Sequence, residues 1–173
     1  MLFRSGSTAD LKGREYLEKA FAGETNVSTV LISKVTGKPV LMAAAPIKSE
    51  DGSAAQVLIA RLDAITLTQV TDSIKYGETG YSFIVDQEGK IMAHDDRKLV
   101  EANESLIKPE EDTKANTLSR AFVELLGKEA GTVQYMFRGD QRIVGYKQIP
   151  GTKWHIVAGL KAKELWQNVN RLI

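Results

Sequence analysis

Gly77-Glu78-Thr79-Gly80-Tyr81-Ser82-Phe83-Ile84-Val85-Asp86-Gln87-Glu88-Gly89-Lys90-Ile91-Met92-Ala93-His94 sets short apolar runs between glycine-bearing turns. Tyr81, Phe83 and Val85 share one face of a strand over Tyr81–Asp86, by the two-residue period of extended chain. Glu88-Gly89 is a turn pair and Lys90–His94 a second strand, so the stretch predicts a hairpin. Downstream, Asp95–Thr117 is polar and too long for an idle loop, which calls for a short helix inside it. Leu118, Phe122 and Leu125 support a helix over Leu118–Leu126, stopped by Gly127. Three more strands follow: Thr132–Phe137, then Gln141–Gln148 after a Gly139-Asp140 turn, then Trp154–Leu160. From Ala162 the chain turns helical, with Leu165, Val169 and Leu172 on one face. It reaches Ile173 with no stop signal, as expected for a piece of a longer protein.

Upstream of Gly77 the same rhythm recurs. Met1–Arg4 reads as extended and Ser5–Thr8 as a turn. Tyr16, Leu17, Ala20 and Phe21 give a helical face over Arg14–Phe21, with Gly23 as its stop and Asp10 as a candidate cap before it. Val27–Ser33 is a β-branched strand, Thr36-Gly37-Lys38 a turn, and Val40–Ile47 an apolar run suited to a central strand. Asp51-Gly52-Ser53 turns the chain into a third strand, Gln56–Asp63. Leu62, Ile65, Val70 and Ile74 then form the stripe of a connecting helix. Sequential strands joined by tight turns favour antiparallel sheets. The fold class is α+β, with two modules in series.

Composition bounds the function. The 173 residues are 43% hydrophobic and 26% charged, which excludes collagen, coiled coil and wholesale disorder. A net charge of +1, from 23 basic and 22 acidic residues, provides no field to gather nucleic acid. Without cysteine there are no disulfides, thiolate metal sites or cysteine nucleophiles. The only histidines, His94 and His155, cannot make a multi-histidine metal site. The longest apolar run, Val40–Ile47, is far short of the roughly 20 residues of a membrane-spanning helix. The first residues lack the apolar core of a signal peptide.

Tests for chemistry find little. His94-Asp95-Asp96 holds residue types suited to a metal or a base-and-orienter pair. Adjacent residues rarely converge on one metal, and no nucleophile stands at a recognisable spacing, so the trio reads as a polar strand end. Gly77-Glu78-Thr79-Gly80 faintly resembles a phosphate loop, but a helix precedes it and a strand follows, the reverse of what such a loop needs. Asp86-Gln87-Glu88-Gly89 lacks the later ligands of a calcium loop. Trp154 and Trp166 read as core and helix-face aromatics. No enzyme and no cofactor are expected.

The constellation nevertheless resembles a known family. GETGYSFIVDQEGKIMAHDD (77–96), GTVQYMF (131–137) and VGYKQIPGTKWHIVAGL (144–160) are similar to the membrane-proximal module of double-Cache sensor domains, which are tandem PAS-like modules. GREYLEKAFAG (13–23), ISKVTGKPVLMAAAPI (32–47) and VLIARLDAITLTQV (57–70) resemble the membrane-distal module. The resemblance implies a distal module over 1–65, incomplete at its N-terminus, a connecting helix over 66–76, a proximal module over 77–161 and the start of a membrane-directed helix over 162–173. It implies the periplasmic or other extracytoplasmic part of an inner-membrane chemoreceptor, histidine kinase or cyclic-dinucleotide signalling protein, homodimeric at full length. Its expected partner is a small-molecule ligand, usually bound in the distal module, and not nucleic acid.

Family pocket residues carry over in part. Arg14 and Tyr16 match an arginine and aromatic of amino-acid-binding members, whereas Leu17 replaces the second aromatic. Leu31 and Ser33 stand where those members have Tyr-x-Asp, and Arg61 stands where an aspartate takes the ligand's ammonium. The substitutions argue against an α-amino acid and toward an anion. Arg14 and Arg61, both facing the pocket, would clamp a carboxylate or dicarboxylate. Alternatively Arg61 snorkels from a sheet edge and Arg14 serves a helix contact. A dimerisation or protein-docking module without a small ligand is the competing function, with the Leu165, Val169 and Leu172 stripe as its helix face.

Overall fold

Val40–Ile47 is the most apolar run of the chain, and it lies in the strand around which the first sheet is built. The computed structural model describes residues 10–33, 36–50, 52–102, 105–108 and 117–170, with backbone only at 168–170. It divides into two compact units, Met1–Ala64 and Ile65–Ile173. The expected extended piece at Met1–Arg4, the Ser5–Thr8 turn and the Val169 and Leu172 side chains lie outside the described residues. Among the described residues, no helix is long and apolar enough to cross a membrane.

In the first unit, α1 (Glu15–Phe21) precedes β1 (Asn26–Val27), β2 (Leu31–Ile32), β3 (Pro39–Lys48) and β4 (Ala54–Asp63). β3 pairs antiparallel with β4 along its length and with β1 and β2 in succession. The single strand expected over Val27–Ser33 is therefore broken in two, and the register advances by one residue across the break. Ser28 makes the break tolerable. Its N–H donates to Met42 O at 2.9 Å and its hydroxyl accepts the Met42 N–H at 2.9 Å, replacing a ladder bond from the side chain. α1 lays Tyr16 and Ala20 on β3, where they join Val40, Met42 and Ala44 in one buried cluster.

In the second unit, α2 (Ala64–Asp72) leads to β5 (Tyr81–Val85) and β6 (Ile91–Ala93). Next come α3 (Arg97–Ala102), α4 (Thr117–Leu126), β7 (Ala130–Phe137), β8 (Asp140–Gln148), β9 (His155–Lys161) and α5 (Ala162–Asn170). The sheet order is β6-β5-β9-β8-β7, antiparallel throughout. Asp86 closes the β5–β6 hairpin: its Oδ1 accepts the Glu88 and Lys90 N–H groups at 2.8 and 2.9 Å. The β7–β8 turn is centred on Arg138 and Gly139, both at positive φ, one residue before the expected Gly139-Asp140. α4 buries Phe122 and Leu125 against the sheet, and α3 is the short helix required within the polar stretch.

α2 corrects an expectation. Of its predicted stripe, Ile65 and Val70 are 52% and 53% exposed, Leu62 belongs to β4, and Ile74 is half-buried past the end of the helix. Ala64, Thr68 and Thr71 are the buried residues instead. Thr71 can be buried because its hydroxyl donates to Thr68 O at 2.9 Å, back-bonding within the helix. Ser82 of β5 then donates to Thr71 O at 2.8 Å, seating the helix on the sheet.

Gly159 marks the tightest packing in this sheet. A Cβ there would overlap Val144 Cγ1 and come within 2.6 Å of Ile143 O. Gly159→Ala is expected to cost about 2 kcal/mol by overpacking, read as a lower urea midpoint at unchanged slope.

Candidate functional site

The residues singled out in the first unit fall on and around one face of its sheet. Val57 and Ile59 of β4 pack against the Tyr16 cluster, and Arg61 follows at the same alternation, directly opposite Met42. Arg61 thus stands on the α1 side of the sheet and is exposed. Arg14 is the N-cap residue of α1, half-buried, and makes no side-chain cap hydrogen bond. Burial raises the Tyr16 phenol pKa and the nearby Arg14 charge opposes that rise. Leu31 packs against the same cluster. The Ser33 hydroxyl is occupied in its own turn, accepting the Thr36 N–H at 3.2 Å.

A second set of polar groups lines a cavity of about 470 Å³ in the second unit. Its floor is aromatic. Phe83 stacks on Tyr81 at 5.9 Å and on Phe122 at 6.0 Å, and Phe122 meets Tyr135 edge-on at 5.7 Å. The β period aligns Tyr81 with Phe83 and Tyr135 with Phe137, while register sets Arg142 opposite Tyr135. The Arg142 guanidinium lies over the Tyr81 ring at 4.7 Å and near Phe137 at 5.6 Å. Its Nε is buried and has no hydrogen-bond partner among the described residues. The Tyr81 and Tyr135 hydroxyls are 2.9 Å apart. Burial raises both phenol pKa values, Tyr135 far above the ordinary range, so both stay protonated.

The His94-Asp95-Asp96 trio lies at the edge of this cavity. His94 Nδ1 is 2.7 Å from Asp95 Oδ1 and 2.9 Å from the Asp96 nitrogen. A charged ring donates to Asp95; a neutral ring accepts the Asp96 N–H. Burial lowers the imidazole pKa, against an upward pull from Asp95 and Asp96. Among the described residues, no three His, Asp or Glu side chains are grouped to hold a metal.

Gly77-Glu78-Thr79-Gly80 does bind an anion, supplied by the chain itself. Glu164, in the first turn of α5, accepts the Glu78 and Thr79 N–H groups at 2.8 Å each, and the Thr79 hydroxyl donates to the same carboxylate. The Thr79 hydroxyl oxygen in turn accepts the Lys161 N–H at 3.1 Å. Gly77 is at φ +63, and a Cβ there would strike the Glu164 carboxylate. The order of helix and strand is the reverse of a phosphate loop, yet its backbone donors are used by a carboxylate. Sequence reading missed Arg142, Tyr135 and Glu164. The first two carried a signal in β alternation, whereas Glu164 is 86 residues from Glu78 and carried none.

Comparison with known proteins agrees with this architecture. The family model described as Cache domain matches residues 2–169. A methyl-accepting chemotaxis protein, PscA of Pseudomonas syringae pv. tomato, is 34% identical over 79 residues, covering 46% of this chain and 12% of PscA. The extracellular domain of mmHK1S-Z3, described as a histidine kinase, superposes with a TM-score of 0.77 at 18% identity, covering 97% of this chain and 62% of that one. The ligand-binding domain of the Pseudomonas fluorescens chemoreceptor CtaA, in complex with L-isoleucine, gives 0.66 at 22% identity, covering 92% of this chain and 61% of that domain.

The Glu164 contact makes a pH-dependent prediction. Hydrogen bonds from Thr79 first, then the two backbone N–H groups, hold its pKa below the usual 4.5. A carboxyl with a lowered folded pKa stabilises fully above its unfolded value and loses that contribution as pH falls through the folded one. Glu164→Gln should therefore lower the urea midpoint near neutral pH, with the gap to wild type closing below the usual value of 4.5. A gap independent of pH across that window would contradict the assignment.

Proposed function

This chain belongs to the Cache domain family, and from that premise we propose that it is the extracytoplasmic small-molecule sensing part of a membrane signalling receptor. In this reading the ligand sits in the first unit, on the α1 side of the sheet, and is a carboxylate or dicarboxylate. The observation that supports it is the alternation of Arg61 with Val57 and Ile59, which puts a cation on the face that α1 covers, while Arg14 begins that helix. Two guanidinium forks suit two carboxylates, and neither suits an ammonium. Ligand occupancy would reach α5, the helix directed toward the membrane, and the full-length receptor would be an inner-membrane homodimer. A protein-docking role is the second reading, favoured by the exposed Ile47, Leu58 and Leu62 on the opposite side of the same sheet.

A thermal-shift panel tests the choice. Succinate, acetate, amino acids, polyamines, purines and sugars are each added to the purified chain. A ligand held only by the folded state stabilises it by about 2.7 kcal/mol at a hundredfold excess over Kd. The expected result is a melting-temperature rise with succinate that is lost in Arg14→Ala and in Arg61→Ala. A succinate shift retained in both variants would remove the two-arginine site. Silence across the panel would favour docking.

A further inference from the structure

We propose that the cavity of the second unit is a separate ligand site, built for a small carboxylate with an aromatic body. It uses none of the residues assigned to the first unit, so it stands or falls independently of the Arg14 and Arg61 reading. At about 470 Å³ the cavity is within the range of small-molecule sites.

Three features select the ligand. The first is a cation with no carboxylate in salt-bridge contact among the described residues. The Arg142 guanidinium carbon lies 4.7 Å from the Tyr81 ring centroid and one of its donors reaches the Tyr81 hydroxyl, while its buried Nε has no hydrogen-bond partner among the described residues. In-plane guanidinium donors fit a carboxylate two at a time. The second is a spare hydroxyl. When one of Tyr81 and Tyr135 donates to the other, the acceptor keeps its own proton for a third group. The third is the wall of Phe83, Phe122 and Phe137, which would strip water from a hydrophilic anion without replacing it but stacks on an aromatic ring.

The acids around the cavity are already engaged, which argues for an anion rather than a zwitterion. Asp95 faces His94 and Asp96 faces Arg138, at 2.7 and 3.9 Å. Asp140, which also feels the Arg142 charge, is paired with Lys161 at 2.8 Å. Glu164 is held in the Gly77–Thr79 turn. Glu78 is exposed to solvent at the rim, where Lys75 also lines the cavity. Among the described residues, the only lining carboxylate without such a partner is that of Glu78, exposed at the rim, so an ammonium at the aromatic floor would lack a counter-ion there.

The test is a two-dimensional amide NMR titration of the uniformly 15N-labelled chain with phenylacetate, against acetate, benzyl alcohol, benzylamine and phenylalanine. Phenylacetate should give saturable shifts centred on Tyr81, Tyr135 and Arg142. Acetate, which lacks the ring, and benzyl alcohol and benzylamine, which lack the negative charge, should each bind about tenfold or more weakly, the scale of one charge-assisted hydrogen bond or one buried ring. Arg142→Gln should reduce phenylacetate affinity by about tenfold with the rest of the spectrum unchanged. If that variant disturbs the fold, Leu99→Trp fills the cavity from α3 and should abolish the same shifts. No saturable binding, shifts centred on residues 14–32 or 57–61, or benzylamine binding as well as phenylacetate would overturn the proposal. Phenylalanine binding more tightly than phenylacetate would overturn the ligand class.

Discussion

The Glu164 carboxylate is held at its two oxygens by the backbone of Glu78 and Thr79 and by the Thr79 hydroxyl. That contact joins the first turn of α5 to the turn that launches β5. Both β5 and the turn form part of the cavity wall, so the same few atoms fix the start of the last helix and one side of the cavity. The sequence cost is strict. Gly77 must be at positive φ with no side chain, and a Cβ at Gly80 would run into the Tyr76 carbonyl. Glu164 is spent on backbone donors, and among the described residues the buried Arg142 Nε has no hydrogen-bond partner.

Charge accounting runs through the rest of the second unit. Arg97 bonds Asp72 and the His94 carbonyl, both at 2.6 Å, tying the end of α2 to the end of β6. Lys161 holds Asp140, and His94 is shared between Asp95 and the Asp96 N–H. Exposed pairs of this kind contribute little to stability. Their importance is in occupancy: Asp95, Asp96, Asp140 and Glu164 each have a local cation or donor. The first unit differs, since its core cluster around Tyr16 and Met42 is wholly apolar apart from the phenol, and its arginines flank it. The two units share antiparallel sheets and present different chemistry on them.

Much of the fold was legible in the sequence, because the strands alternate and the turns carry glycine at positive φ, as at Gly37, Gly52 and Gly89. Two features were not. The break after Val27 depends on a serine hydroxyl replacing a ladder bond, and β-branched composition does not encode it. The buried residues of α2 are Ala64, Thr68 and Thr71 rather than isoleucine and valine, and the Thr71 hydroxyl tolerates burial by back-bonding to Thr68 O. For the candidate site, the first-unit residues came from resemblance to a family, while the second-unit cavity is assembled from four strands and two helices that only the tertiary fold brings together. His94 was visible as a polar residue at a strand end, but its aromatic neighbour Phe83, 5.6 Å away, was not.

The central claim is that Arg142 and the tyrosine pair form an anion site above an aromatic floor. Anomalous diffraction from crystals of this chain soaked in para-bromobenzoate tests it most directly, because bromine reports the ring position without assumption. One bromine peak is expected against the cavity wall formed by Phe83, Phe122 and Phe137, with the carboxylate in the plane of the Arg142 guanidinium. A peak confined to the first unit, or a carboxylate turned away from Arg142, would contradict it.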